Sequence, residues 1–485
     1  MTDEVGDGRL FVVGGPDGAP VVRGSAGAAK TFRSYDQAQS FLLPPSLDDW
    51  LPADHTARFI SEIVDDQLDL SSVYSSYANA TGAPPFDPRM MLKLLLYAYS
   101  TGVTSSREVE RRCHVDVAFR WLSANTAPDY RSLARFRRRH LDALADLFTQ
   151  VLVLCAAAGL VKLGRVALDG TKLRASASRH KAMSYDRLTS RIGGVEAEVA
   201  AMLADAEATD AADDDEFGPD RRGDEVPAEL ATREGRLAKM RAAKAALEAD
   251  AAERAAEAAE AKARQQGKPD DEVGAAVELA RTTAVVNPKA QRSFTDPDAR
   301  MMKTNHGFQY AYNAQAVADD HSQVVVATWV TQHPTDVTLL VPMLAACRRS
   351  LDDAGIDTRP EVTLADAGYC STANIDTTAG NGDNVLVATG RLKHHEQIPD
   401  APRGRIPNHL TSRQRMARRL RTKTGRAAYA RRKAIIEPVF GQMKQKQNAG
   451  HLRLRGLDGA RGEFTLHAIC HNLRKLANRT RPALC

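Results

Sequence analysis

A mixed α/β core combined with an all-α N-terminal domain is the fold class the sequence predicts, and three observations predict it. Apolar residues recur at helical spacing between about 41 and 155. After about 290 the period shortens to that of strands. Between the first strand-like run and the later ones stands a stretch, 186–285, rich in Ala, Glu, Lys and Arg, whose propensity is helical. Strands and helices alternating around such an interruption point to a mixed sheet flanked by helices and broken by a long helical insertion.

Each element follows from local chemistry. Residues 1–40 mix Gly, Ala and polar residues without a sustained period and read as a flexible leader; the opening MTDEVGDGRL lacks the apolar run of a secretory signal. In DPRMMLKLLLYAYSTG, Asp87 is a natural N-cap, Pro88 takes the first helical position and Gly102 closes the helix. SSREVERRCHVDVAFRWLSAN and PDYRSLARFRRRHLDALADLFTQVLVLCAAAGL read as further helices, with Leu133, Phe136, Leu141, Leu144 and Leu147 marking the buried side of the second. Arg131, Arg135, Arg137, Arg138, Arg139 and His140 crowd one stretch of it. A cationic helix after short helices and tight turns suits a helix-turn-helix, with Arg131, Arg135, Arg138 and Arg139 as candidate DNA contacts. The competing reading is an ordinary bundle with a solvated basic face.

Residues 156–185 supply the first strand, VALDGTKLRA. The insertion 186–285 reads as two long helices forming a hairpin or coiled-coil arm, with the acidic tip ATDAADDDEFGPDRRGDEVP. From 286 to 485 come the rest of the core and a basic helical tail. FQYAYNAQAVADDHSQVVVATWVTQH predicts a β-hairpin, and DVTLLVPMLAACRRSLDDAG an amphipathic helix ending at Gly355. RPEVTLADAGYCS and NVLVATG each hold a short buried strand.

Composition narrows the function. At 485 residues the chain has room for two to four domains, and no stretch reaches the roughly 18–20 apolar residues of a membrane span. Six cysteines, at 113, 155, 347, 370, 470 and 485, form no CxxC pair, which speaks against a disulfide framework or a zinc site and fits a cytoplasmic protein. The net charge is only +5, yet residues 401–485 carry 21 Lys+Arg against 3 Asp+Glu, while 191–280 carry 12 basic and 23 acidic residues. A tail so basic repels itself unless a polyanion neutralises it, which makes nucleic acid the expected partner.

Asp169 and Asp366 each sit where an apolar strand gives way to a Gly-containing turn, the place where open α/β sheets bind ligands. Two acids delivered there repel one another unless a divalent cation joins them, and oxygen ligands without a His/Cys cluster indicate Mg²⁺ or Mn²⁺. Glu437, a lone acid among cations in YARRKAIIEPVFGQMKQK, is the candidate third ligand. Lys444, seven residues on, shares its helix face, and so does Lys433, four before, although Pro438 predicts that the helix starts or bends there. Asp296, Asp298, Asp319 and Asp320 are rival acids in loop or hairpin-tip sequence; His306, His321 and His333 read as loop histidines.

These motifs, in this order, resemble the Asp-Asp-Glu transposases of bacterial insertion sequences. The resemblance spans about 41–480 and rests on LPADHTARFI, FDPRMMLKLLLYAYSTGVTSSREVERRC and RSLARFRRRH, then VALDGTKLRASAS, FQYAYNAQAVAD, VTLADAGYCS, RRKAIIEPVFGQMK and HAICHNLRKLAN. It implies an RNase H-like core in which Asp169, Asp366 and Glu437 are the catalytic, metal-binding triad, holding two Mg²⁺ or Mn²⁺ ions. The family's Tyr-x2-Arg-x3-Glu-x6-Lys signature is met by Tyr429, Arg432, Glu437 and Lys444, except that one extra residue separates Arg432 from Glu437. Lys433 thereby falls in the arginine's place, and both cations stand as candidates. Tyr429, Arg432, Lys433 and Lys444 are the implied DNA-binding residues near the scissile bond. The implied partner is double-stranded DNA, both the element's terminal inverted repeats and its target, bound by a homodimer at the bacterial nucleoid with no membrane association. Cutting and joining by one site is the implied activity; a metal-dependent nuclease and a catalytically silent DNA-binding derivative are the alternatives.

Overall fold

The computed structural model describes residues 46–77, 84–177, 182–198, 201, 228–304, 306–390, 401–407 and 409–480. The expected flexible leader and the expected acidic tip lie outside them. The described residues from 47 onward begin with the α-helices α1 (Leu47–Trp50), α2 (Thr56–Glu62, continued by a π-helical turn Ile63–Gln67), α3 (Ser71–Ser75), α4 (Pro88–Ser100), α5 (Ser106–Val115), α6 (Val117–Leu122), α7 (Tyr130–Arg139) and α8 (Leu141–Ala157). The Asp87 side chain accepts from the Arg89 and Met90 amides at the start of α4, with Pro88 in its first turn. Gly102 closes that helix at φ +81°, and a Cβ there would lie 2.8 Å from the Lys446 carbonyl, so the residue serves both a left-handed turn and a close approach.

Each of the two longer helical stretches is split. Asp116 accepts from the Ala118 and Phe119 amides and starts α6 afresh after α5. His140 breaks the next stretch, and α7 and α8 meet at 72°. No single helix among the described residues is long and apolar enough to cross a membrane.

Strand β1 (Arg165–Arg174) opens the sheet. After it come the short β2 (Ala182–Ser184), a helical run 185–198 (α9), α10 (Ala228–Gln265), α11 (Asp270–Thr282), β3 (Gln291–Ser293) and β4 (Arg300–Thr304). Among its described residues the insertion thus holds α9, α10 and α11. At 38 residues α10 extends about 57 Å. Leu188 and Ile192 of α9 bury against Leu237, Met240 and Leu247 of α10 in a small core of their own. The β2–β3 ribbon sits at the arm's base, where Asp250 pairs with Arg292 at 2.7 Å and Arg300 at 3.1 Å.

The remaining elements are β5 (Gly307–Asp319), β6 (Val325–Thr331), α12 (Leu340–Asp353), β7 (Val362–Ala365), α13 (Thr372–Gly380), β8 (Val385–Val387), α14 (Ser412–Arg421), α15 (Lys423–Ala430), α16 (Arg432–Lys446) and α17 (Leu457–Thr480). The main sheet is mixed. β4 and β6 follow one another along one edge of β5, β1 pairs antiparallel with the other edge, and β7 and β8 extend it in parallel. Antiparallel β6, β5 and β1 followed by β7 and β8 parallel to β1, with α12 crossing between, give the RNase H-like order, and β4 is a sixth strand beside β5.

The N-terminal helices share one apolar core with this sheet: α4 and α8 pack on α17, whose other side packs on β6. A buried polar knot reinforces the junction. Glu463 of α17 accepts from the Tyr99 hydroxyl at 2.9 Å and from the Arg453 and Leu454 amides at 2.7 Å each, and Arg137 of α7 donates to the Tyr99 hydroxyl at 2.6 Å and the Thr104 carbonyl at 3.0 Å. Asn472 meets β6 as another strand would, exchanging two 2.8 Å hydrogen bonds with the Val325 backbone.

Candidate active site

Asp169 lies within β1 and Asp366 directly follows β7. The last pair between these parallel strands is Leu168↔Ala365, so the two aspartates emerge side by side. Both are half-buried. Asp366 accepts from the Gly368 amide at 2.7 Å, which turns the chain sharply after β7. Burial pushes the Asp169 carboxyl up from its ordinary value; the Arg432 guanidinium opposes the rise and the neighbouring Asp366 charge adds to it.

The basic tail arrives over this pair. Tyr429 of α15 donates to the Ala365 carbonyl at 3.2 Å, one residue before Asp366. Arg432 opens α16 and forms a 2.7 Å ion pair with Asp169. Near the other end of the helix, Lys444 donates to the Thr171 hydroxyl. Burial lowers the Lys444 pKa. Of the two candidate cations, Arg432 is buried against Asp169 while Lys433 points to solvent.

Pro438 does not start a new helix: α16 begins at Arg432 and runs through it. Proline removes the amide that would bond the Ala434 carbonyl. Gln323, at the β5–β6 turn, donates to that carbonyl at 2.9 Å instead. Arg431, just before α16, pairs with Asp320 at 2.7 Å and ties the helix start to the same turn.

Glu437 is exposed on the stretch of α16 between Arg432 and Lys444. Among the described residues no three carboxylate, imidazole or thiol groups converge to hold a metal ion. The structure therefore brings Asp169 and Asp366 together, while Glu437 stands exposed on α16, on the helix face it shares with Lys444.

The rival acids have other work. Asp296 accepts from the Tyr312 hydroxyl at 2.7 Å and the Gly456 amide at 3.1 Å, Asp298 from the Leu457 amide at 3.0 Å, and Asp319 from the Leu163 amide at 2.8 Å. Asp320 is held by Arg165 and Arg431. His306, His321 and His333 are exposed. On α7, Arg131, Arg135, Arg138 and Arg139 are exposed, with Arg139 over the Tyr77 ring at 4.3 Å, whereas Arg137 and His140 are buried.

Sequence reasoning missed a second polar group under the pair, made of Lys172, Asn313, Gln315, Asp336 and Tyr369. The signal was present: Asn313 and Gln315, two residues apart on one face of an otherwise apolar central strand, are fully buried and require partners.

Two family models match the chain: one described as "Transposase domain (DUF772)" over residues 45–139, and one described as "Transposase DDE domain" over 282–473. The chain belongs to the DDE transposases of insertion sequences. No curated protein and no solved structure gives a significant match. As a DDE transposase it is a nucleic-acid-processing enzyme that acts on DNA. The first match ends at Arg139, so it includes the whole of α7; the second runs from the end of the insertion into α17 and contains Asp366, Glu437 and Lys444 but not Asp169.

Proposed function

We propose that this transposase binds the ends of its element, cleaves the DNA there and joins the freed 3′-hydroxyl ends to a target at the Asp169–Asp366 pair. The observation carrying this reading is the convergence of Tyr429, Arg432 and Lys444 on the parts of β1 and β7 that bear the two aspartates. Position and charge neutralisation supply most of the rate in phosphoryl transfer, so a site needs few groups if they are held firmly.

The donor set suits a hard divalent cation, Mg²⁺ or Mn²⁺: the adjoining carboxylates offer oxygen, and Asp169 already draws a cationic group to itself in Arg432. Asp169 and Asp366 would hold the ions, with Glu437 as third ligand. Bound there, such ions supply activation of a water or 3′-hydroxyl and neutralisation of the leaving oxygen.

The chain's own residues do the rest. Arg432 opposes the rise that burial imposes on the Asp169 carboxyl, and Tyr429 fixes the β7 carbonyl before Asp366. Lys444 and Lys433 contact phosphates flanking the scissile bond, positioning the strand without reading its bases. Arg131, Arg135, Arg138 and Arg139 of α7 contact the element end, and two copies join in a homodimer to bring two ends together.

The test is strand cleavage and joining with Asp169→Asn, Asp366→Asn and Glu437→Gln. Each should abolish both steps while leaving end binding within about twofold of wild type. Wild-type cleavage by any one of these variants, correctly folded, refutes its assignment. Cleavage without joining of a pre-cut 3′-hydroxyl end to plasmid would make the protein a nuclease.

A further inference from the structure

Beneath the aspartate pair, donors from two strands meet on a single carboxylate oxygen. Asp336, in the loop between β6 and α12, receives Asn313 Nδ2 at 2.7 Å and Gln315 Nε2 at 2.9 Å on Oδ1, and the same oxygen stands 3.4 Å from Lys172 Nζ. Lys172 belongs to β1, three residues after Asp169, and the two amides belong to β5. Gln315 turns its carbonyl end to the hydroxyl of Tyr369, in the turn that begins with Asp366. Asn374 closes the circle, donating to the Val337 carbonyl at 2.6 Å and the Tyr369 carbonyl at 2.8 Å. Asp336 and Asp366 also border the same glycine: a Cβ on Gly368 would lie 2.9 Å from Asp366 Oδ1 and 3.5 Å from Asp336 Oδ2.

Two physical consequences follow. A charge-assisted acceptor shared by several donors is strong where water is scarce, so Gln315 and Tyr369 are locked in place under the Asp366 turn. Lys172 is also a half-buried cation that needs a counter-charge; without Asp336 its field would fall on Asp169 and Asp366, the groups meant for the metal. We infer that Asp336 is a positioning residue for the metal-binding pair, fixing the Asp366 turn through Gln315 and Tyr369 and drawing the Lys172 charge away from both aspartates. This rests on the reading that Asp169 and Asp366 hold the divalent cation.

The experiment titrates Mn²⁺ onto the DNA-free full-length protein by calorimetry, with thermal unfolding and end cleavage measured in parallel. Asp336→Ala should weaken Mn²⁺ binding and slow cleavage at least tenfold, with affinity for element-end DNA within twofold of wild type. Asp336→Asn, which keeps an acceptor for the amides but no charge, should also weaken Mn²⁺ binding. Adding Lys172→Met to it should recover most of that loss, because the uncompensated ammonium is gone. A merely architectural role would lower the melting temperature of Asp336→Ala, leave Mn²⁺ affinity unchanged and show no recovery in the double variant. Wild-type Mn²⁺ affinity and cleavage in Asp336→Asn overturn the inference. If Asp169→Asn also leaves Mn²⁺ binding unchanged, the assignment of the pair itself falls and takes the inference with it; loss in Asp169→Asn alone overturns only the role of Asp336.

Discussion

Gly170, the residue after Asp169, is packed too tightly for any side chain. A Cβ built on it would stand 2.1 Å from Gln315 Nε2, 3.0 Å from Gln315 Cδ and 3.1 Å from Asn313 Oδ1. The nearest atom is the end of a side chain, which ordinarily moves aside cheaply. Here it is not free to move, because that nitrogen donates to Asn313 at 2.9 Å and to Asp336 at 2.9 Å. Gly170→Ala must therefore overpack the site, at about 1–3 kcal/mol, or expel the Gln315 amide and forfeit three hydrogen bonds of about 1 kcal/mol each. We expect a loss of about 1–3 kcal/mol by either route, read as a lower urea midpoint by circular dichroism at unchanged slope. The double variant Gly170→Ala/Gln315→Ala has no clash and should be no less stable than Gln315→Ala alone, giving a coupling of about 1–3 kcal/mol. A single variant within about 0.5 kcal/mol of wild type, an ordinary surface value, or a coupling near zero, would refute the argument.

Other outcomes are as definite. His471 is buried and its pKa is lowered to about 4 by desolvation, well below the ordinary 6.5, so it folds neutral. Stability from a depressed histidine is complete above about pH 6.5 and lost as pH falls toward 4, so His471→Gln should flatten the stability–pH slope in that window by about 1.4 kcal/mol per pH unit; equal slopes in urea melts would exclude it. Pro438→Ala restores an amide opposite the Ala434 carbonyl and should raise stability by about 1–3 kcal/mol. In that background Gln323→Ala should cost less than in wild type, and equal costs would show that Gln323 does not serve the freed carbonyl. Affinity for double-stranded DNA should fall steeply with salt, log K declining by about 0.9 per phosphate neutralised; a flat response between 50 and 200 mM would count against the basic tail and α7 as the contact surface.

Much of the fold was readable because its signals are local. Asp87–Pro88–Gly102 bounded α4, strand-like runs located β5 and β6, and short apolar runs located β7 and β8. What escaped depends on contacts between distant segments. Nothing near Pro438 announces that Gln323, 111 residues earlier, would meet the orphaned carbonyl and keep α16 whole. The breaks at Asp116 and His140 were hidden in continuous helical patterns, where a capping side chain and a buried imidazole end what propensity would continue. At the candidate site Asp366 was legible from strand-end chemistry, whereas the turn expected after Asp169 is absent: β1 runs on through Gly170 to Arg174, paired with β5 throughout. The extra residue before Glu437 left the choice between Arg432 and Lys433 to the phase of a helix, and only packing resolves which side faces β1. The Asp336 group went unread because its members come from four separate stretches of chain.

The Glu463–Tyr99–Arg137 knot has a consequence for how a cut is aimed. It welds α7, through α4 and α17, to the same body that carries the strand ends. A grip on DNA made by α7 would then stand at a set span from the scissile phosphate, like the jaw and blade of one tool, instead of trailing on a tether. The number of base pairs between the bound sequence and the nick would be a dimension of this core, and adding or removing even one pair in an element end would turn the scissile bond away from the blade.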